Sequence, residues 1–116
     1  MGRRPVGSLS TRRDFDQLRT PTARSTRGPI RVSFHPLSRS GDLSRPLVSF
    51  AITKACGTAV VRNRLRRRLQ GLLERGAGPL EVGGYLIRPT PAAAEMSSAE
   101  LERHLTAALA GLEGSR

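Results

Sequence analysis

Residues 62–68 read RNRLRRR, five arginines and one asparagine in seven positions. So dense a cationic cluster repels itself and costs stability unless it faces a polyanion. Each arginine also presents a planar fork that matches phosphate oxygens two at a time. The apolar spacing around the cluster constrains its fold. At about 100° per residue, Val61, Leu65, Leu69 and Leu72 fall within an arc of about 80°. Arg62, Asn63, Arg64, Arg66, Arg67 and Arg68 fill the rest of the wheel. The segment therefore reads as one helix, with a narrow stripe that packs on a sheet and cationic side chains elsewhere. Lys54-Ala-Cys-Gly-Thr58 is the turn leading in, Thr58 is placed to cap the helix, and residues 76–79 end it.

A chain of 116 residues suffices for one domain with one modest core. Its formal net charge of +11 points to nucleic acid or an anionic membrane surface as partner. That charge is unevenly placed. Residues 1–75 carry 16 Arg and Lys54 against Asp14, Asp16, Asp42 and Glu74, a balance of +13. Residues 76–116 carry three Arg against five acids, a balance of −2. The binding surface is expected in the first two-thirds and a scaffold in the last third. No apolar run of about 18 residues exists to span a membrane. The opening MGRRPVGSLSTRRDF lacks the apolar stretch of a signal peptide. The lone Cys56 has no second cysteine for a disulfide or a zinc pair. A reduced, cytoplasmic setting is the expectation.

Residues 1–8 read as a flexible basic tail, followed by a single domain over 9–113. Leu9 to Leu18 is predicted as a short helix, with capping-box spacing at Thr11 and Asp14 and with Phe15 and Leu18 on one face. Residues 19–28 (RTPTARSTRG) are rich in breakers and read as a loop. Ile30 to Phe34 alternates as a half-buried strand. Leu47 to Ile52 is more continuously apolar and suits a central strand. A third strand is predicted over 82–87, stopped by Arg88-Pro89. Ser97 and Glu100 form a second capping box before an amphipathic helix marked by Leu101, Leu105, Ala108, Leu109 and Leu112. The order helix, strands, helix, strand, helix implies an α/β (α+β) two-layer sandwich.

Catalytic chemistry is poorly supplied. His35 and His104 read as a loop histidine and a helix-face histidine, and Cys56 as a small buried filler beside a basic helix. Glu100, Glu102 and Glu113 read as a solvated face. No phosphate-binding loop, dinucleotide fingerprint or metal-ligand spacing occurs. A membrane-surface helix would need a broad apolar face with aromatic anchors, and this one has a thin aliphatic stripe. A DNA-reading helix-turn-helix would need a helix, not a strand, before the arginines. Single-stranded RNA is favoured by a sheet face carrying exposed aromatics, and Phe15, Phe34 and Phe50 either line such a face or pack the core.

Lys54-Ala-Cys-Gly-Thr-Ala-Val-Val-Arg-Asn-Arg-Leu-Arg-Arg resembles the K-x-x-G-x-A-V-x-R-N-R-x-K/R-R signature of the bacterial ribonuclease P protein subunit. Arg12-Arg13-Asp14-Phe15 is similar to the family's R-x-x-D-F start. Tyr85-Leu-Ile-Arg-Pro with the following connector and Ala99-Glu-Leu is similar to its last strand and helix. The resemblance covers about residues 9–110. It implies a protein cofactor of a ribonucleoprotein that removes the 5′ leader of precursor tRNA, with catalysis in the RNA subunit and its Mg²⁺ ions. It also implies a left-handed crossover at the arginine helix, against the general handedness rule. By position, Lys54, Arg62, Asn63, Arg64, Arg66, Arg67 and Arg68 would meet the catalytic RNA. Phe15, Phe34, Phe50, Ile52, Arg12 and Arg19 would lie at a cleft for the leader. No protein partner is implied.

The chain departs from the family at two places. Gln70-Gly71 stands where the family often has Arg-Glu, with Arg68 beside it to make up the charge, and Arg19 stands where a second aromatic is common. The alternative is a general RNA-binding or ribosome-associated module with no processing role. A metal-dependent nuclease in its own right is disfavoured by the scatter of the carboxylates.

Overall fold

The computed structural model describes residues 7–8, 19, 21, 23–36, 46–75 and 83–114. The predicted helix over 9–18, with Arg12 and Phe15, lies outside these residues. Five strands form one sheet: β1 (Gly7–Ser8), β2 (Ala23–Arg27), β3 (Ile30–His35), β4 (Leu47–Phe50) and β5 (Gly84–Pro89). Their spatial order is β1-β4-β5-β3-β2. β4 is parallel to both β1 and β5, and β3 is antiparallel to both β5 and β2. Among the described residues two α-helices accompany the sheet, α1 (Ala59–Glu74) and α2 (Ser98–Gly114). α1 thus lies in the connection between the parallel neighbours β4 and β5, and the fold is the expected mixed two-layer arrangement.

The strand register sorts side chains onto two faces. One face carries the rows Ala23–Phe34–Tyr85–Val48 and Ser25–Val32–Ile87–Phe50. Both helices pack there, α1 through Leu65, Leu69, Leu72 and Leu73, and α2 through Leu101, Leu105, Ala108, Leu109 and Leu112. The other face carries Thr26–Arg31–Arg88 and Arg24–Ser33–Leu86–Ser49. The alternation read from Ile30 to Phe34 is what separates these faces.

Both helix starts follow their local chemistry. Thr58 Oγ1 accepts from the Val61 N–H at 3.3 Å. Ser97 and Glu100 form the reciprocal capping box: Ser97 N–H donates to Glu100 Oε1 at 3.1 Å, and Glu100 N–H donates to Ser97 Oγ at 3.2 Å. Those bonds from Ser97, backbone first and hydroxyl second, hold the Glu100 carboxyl below its ordinary pKa.

Four expectations are corrected. Residues 23–27 are a strand, not a loop. Their inward side chains are Ala23 and Ser25, too small to register as an apolar stripe, yet buried. Small residues here let α2 approach closely, since a Cβ on Gly111 would lie 2.4 Å from Ser25 Oγ. β2 returns into β3 through Gly28-Pro29, with Gly28 at φ 55°, a conformation glycine adopts without steric cost. Second, Gly7–Ser8, assigned to the tail, pair with Leu47 and Val48. Third, β4 ends at Phe50 rather than Ile52, although Ala51 N–H still donates to Ile87 O at 2.9 Å. Fourth, Arg88-Pro89 close β5 rather than stop it. Ile87 turns its carbonyl towards β4, and Pro89 shares that parity. The last β4 residue in the register is Phe50, opposite Ile87, so on the β4 side Pro89 has no ladder bond to lose, while on its other side it pairs with Ile30 of β3.

Candidate nucleic-acid interface

The sequence TAVVRNRLRRRL turns its two central valines in different directions. Val61 packs towards the lead-in turn, where a Cβ on Gly57 would lie 3.0 Å from Val61 Cγ1. Gly57 itself has φ 132°, so the turn demands glycine twice over. Val60 points outward and is 68% exposed. The arginines divide in the same way. Arg62 and Arg68 flank the apolar stripe and are half-buried, whereas Asn63, Arg64, Arg66 and Arg67 are exposed, as is Lys54 in the short 3-10 turn Lys54–Cys56 before the helix.

Arg62 Nε donates to Gly57 O at 3.2 Å, bracing the helix against its own lead-in. Arg68 donates to the backbone carbonyl of Met96, across the domain. Arg66 Nη2 donates to Asn63 Oδ1 at 3.4 Å. Arg64 and Arg67 extend from the exposed side of the helix.

Beside this helix lies a cleft of about 270 Å³ lined by Phe50, Ile52, Ala59, Arg62, Asn63 and Arg66. It brings together two sets of residues that the sequence offers separately, the end of β4 and the arginine helix. Phe50 and Ile52 are half-buried, so each retains apolar surface facing the cations.

A second cleft, of about 600 Å³, lies on the sheet face turned away from the helices. Arg24, Thr26, Arg31, Ser33, Leu86 and Arg88 line it together with Arg19 and Pro21. Arg31 and Arg88 sit directly opposite each other on neighbouring strands. Like charges so placed repel and favour an anion between or above them. A third cleft of about 450 Å³ shares Arg31 and Arg88 with the second and reaches Ala51 and Thr53, the chain neighbours of Ile52. The alternation of Arg31 and Ser33 with Ile30, Val32 and Phe34 was the signal for this basic sheet face; Arg88 was hidden by its reading as a strand stop.

The six residues expected at a leader cleft therefore separate. Phe50 and Ile52 line the helix cleft, and Arg19 lines the sheet-face cleft. Phe34 is corrected: it is 3% exposed in the core, its ring centroid 4.9 Å from that of Tyr85. Alternation puts it on the helix-covered face, where no strand of RNA can reach its ring. Cys56 is buried, with its thiol directed to Pro89 O at 3.6 Å, and fills space as expected. His104 packs beside the β2–β3 turn, its ring 2.6 Å from where a Cβ of Gly28 would be. Among the described residues no group of three or more His, Cys, Asp or Glu is arranged to hold a metal ion, and no helix is long and apolar enough to cross a membrane.

The sequence matches the family profile described as Ribonuclease P over residues 5–113. The Ribonuclease P protein component of Thermobifida fusca (strain YX) is 35% identical over 111 residues, covering 90% of this chain and 75% of that protein. The Ribonuclease P protein component of Beutenbergia cavernae is 43% identical over 68 residues, covering 58% of this chain and 57% of that protein. The solved RNase P protein of Staphylococcus aureus superposes with a TM-score of 0.72 at 14% identity, covering 93% of this chain and 94% of that one. The RNase P protein of Thermotoga maritima superposes at 0.68 with 20% identity, covering 88% and 94%. At these identities the structural likenesses speak for the fold, and the sequence matches carry the family. The chain belongs to the ribonuclease P protein component family.

Proposed function

We propose that this chain is the protein subunit of a ribonuclease P holoenzyme. It binds the catalytic RNA and the 5′ leader of precursor tRNA, and so promotes endonucleolytic removal of the leader. The observation that carries this reading is the cleft in which Phe50 and Ile52 stand beside Arg62, Asn63 and Arg66. Apolar surface for bases next to forked donors for phosphates is what an unpaired strand requires.

The outward arginines of α1, chiefly Arg64 and Arg67, contact the folded catalytic RNA, with Lys54 and Asn63 beside them. The leader runs from the α1 cleft past Ala51 and Thr53 to the sheet face of Arg31 and Arg88. That path supplies phosphate contacts at both ends and apolar surface at Phe50 and Ile52. Arg12 and Phe15, which lie outside the described residues, are the further leader contacts that the family resemblance implies. Arg62 and Arg68, tied to Gly57 and Met96, hold the helix in place as well as adding charge.

Bond cleavage is assigned to the RNA subunit and the Mg²⁺ ions it carries, which supply the activated water and stabilise the leaving oxygen. The described residues do not form a donor set that fits such an ion, so no step is routed through a protein-held metal. The protein's contribution is affinity and positioning, in a cytoplasmic ribonucleoprotein.

The leader assignment is tested by measuring holoenzyme affinity for precursor and mature tRNA with Arg31→Ala/Arg88→Ala and with Phe15→Ala. Each change is expected to weaken precursor binding selectively. Equal loss for both tRNAs contradicts the assignment and favours a general RNA-binding module.

A further inference from the structure

A lone exposed valine is ordinary on a protein surface, but Val60 stands in an unusual place. It is the large apolar side chain left most open among the described residues, at 68% exposure. At about 100° per residue, Asn63, Arg64 and Arg67 all fall within about 60° of it around α1. All three are exposed. No acidic residue lies between Ile52 and Glu74 to dilute this face. Val60 therefore projects from the cationic outer face of α1, between Arg64 and Arg67, while the packing duties at this turn fall to Val61.

Arginines alone hold any polyanion, and their attraction to phosphate carries no information about the fold of the RNA. An apolar side chain among them adds a different term. It gains only where the RNA presents an apolar surface at the same height, such as the face of an unpaired base, and gains nothing against the charged groove edge of a regular duplex. Resting on the holoenzyme reading above, we infer that Val60 is a specificity-determining contact of the arginine helix: its methyl groups pack on an unstacked nucleobase of the catalytic RNA while Arg64 and Arg67 hold the flanking phosphates.

The test compares the wild type with Val60→Ser, Val60→Ile and Arg64→Ala. Affinity is measured over a range of KCl concentrations, for a bacterial ribonuclease P RNA and for a perfect RNA duplex. Val60→Ser is expected to lose about tenfold on the catalytic RNA, the size of burying one valine side chain, with an unchanged salt slope and unchanged duplex affinity. Val60→Ile is expected to bind as well as the wild type. Arg64→Ala is expected to lose affinity for both RNAs and to lower the salt slope. Selectivity for the catalytic RNA that survives in Val60→Ser overturns the role of Val60 alone, as does an equal loss on both RNAs. A wild type that binds the two RNAs equally overturns the holoenzyme reading, and this inference with it.

Discussion

Arg68 donates to the backbone carbonyl of Met96, joining the arginine helix to the segment that leads into α2. The bond explains why a charged side chain in the RNRLRRR run is half-buried rather than extended. Its neighbour Arg67 is exposed. Arg68→Ala should therefore cost about 1–3 kcal/mol, typical of a lost hydrogen bond from a charged donor. Arg67→Ala should stay within about 0.5 kcal/mol of the wild type. Chemical denaturation of both variants checks this, and equal losses contradict it.

Arg64 is exposed on the outer side of the same helix. Arg64→Ala should weaken binding to the catalytic RNA and lower the salt slope by about 0.7–0.9, the share of one phosphate contact. The melting temperature should not move. A large fall in Tm would assign Arg64 to the scaffold instead.

Two helix glycines should respond oppositely to alanine. A Cβ on Gly71 meets nothing within 4 Å, whereas one on Gly111 lies 2.4 Å from Ser25 Oγ. Gly71→Ala should stabilise by about 0.5–1 kcal/mol, the helix-interior difference between the two residues. Gly111→Ala should destabilise, because α2 must lift from β2. Thermal melts of the two variants decide the matter, and a shared sign contradicts the close α2–β2 approach.

The Glu100 carboxyl is held below its ordinary pKa by the bonds from Ser97. A depressed carboxyl stabilises the fold above its unfolded pKa, and that contribution fades as pH falls through the folded value. Glu100→Ala should therefore lower Tm at pH 7, and the gap to the wild type should close in acid below the usual glutamate range. A gap that stays constant down to pH 2 contradicts the capping box as its source.

The two helices α1 and α2 were legible because their signals are local. The Thr58 cap and the Ser97–Glu100 box each lie within about one turn, and the stripe of Val61, Leu65, Leu69 and Leu72 within about three. The wheel even contains the division of the arginines, for Arg62 and Arg68 fall about 20° outside the apolar arc on either side. β2 was not legible, because Ala23 and Ser25 bury without an apolar signature and the hairpin partner lies across Gly28-Pro29. Phe34 and Phe50 look alike in sequence. One is sealed under the helices opposite Tyr85, and the other lies at the end of β4, half-open to the arginines. The basic sheet face needed the register, since Arg31 and Arg88 are far apart in the chain and meet only when β3 pairs with β5.

The most direct test is cleavage of precursor tRNA at low Mg²⁺ by a bacterial ribonuclease P RNA, with and without this protein. The account predicts site-correct removal of the leader only when both are present. Cleavage by the protein alone, or no stimulation of a competent cognate RNA, contradicts it.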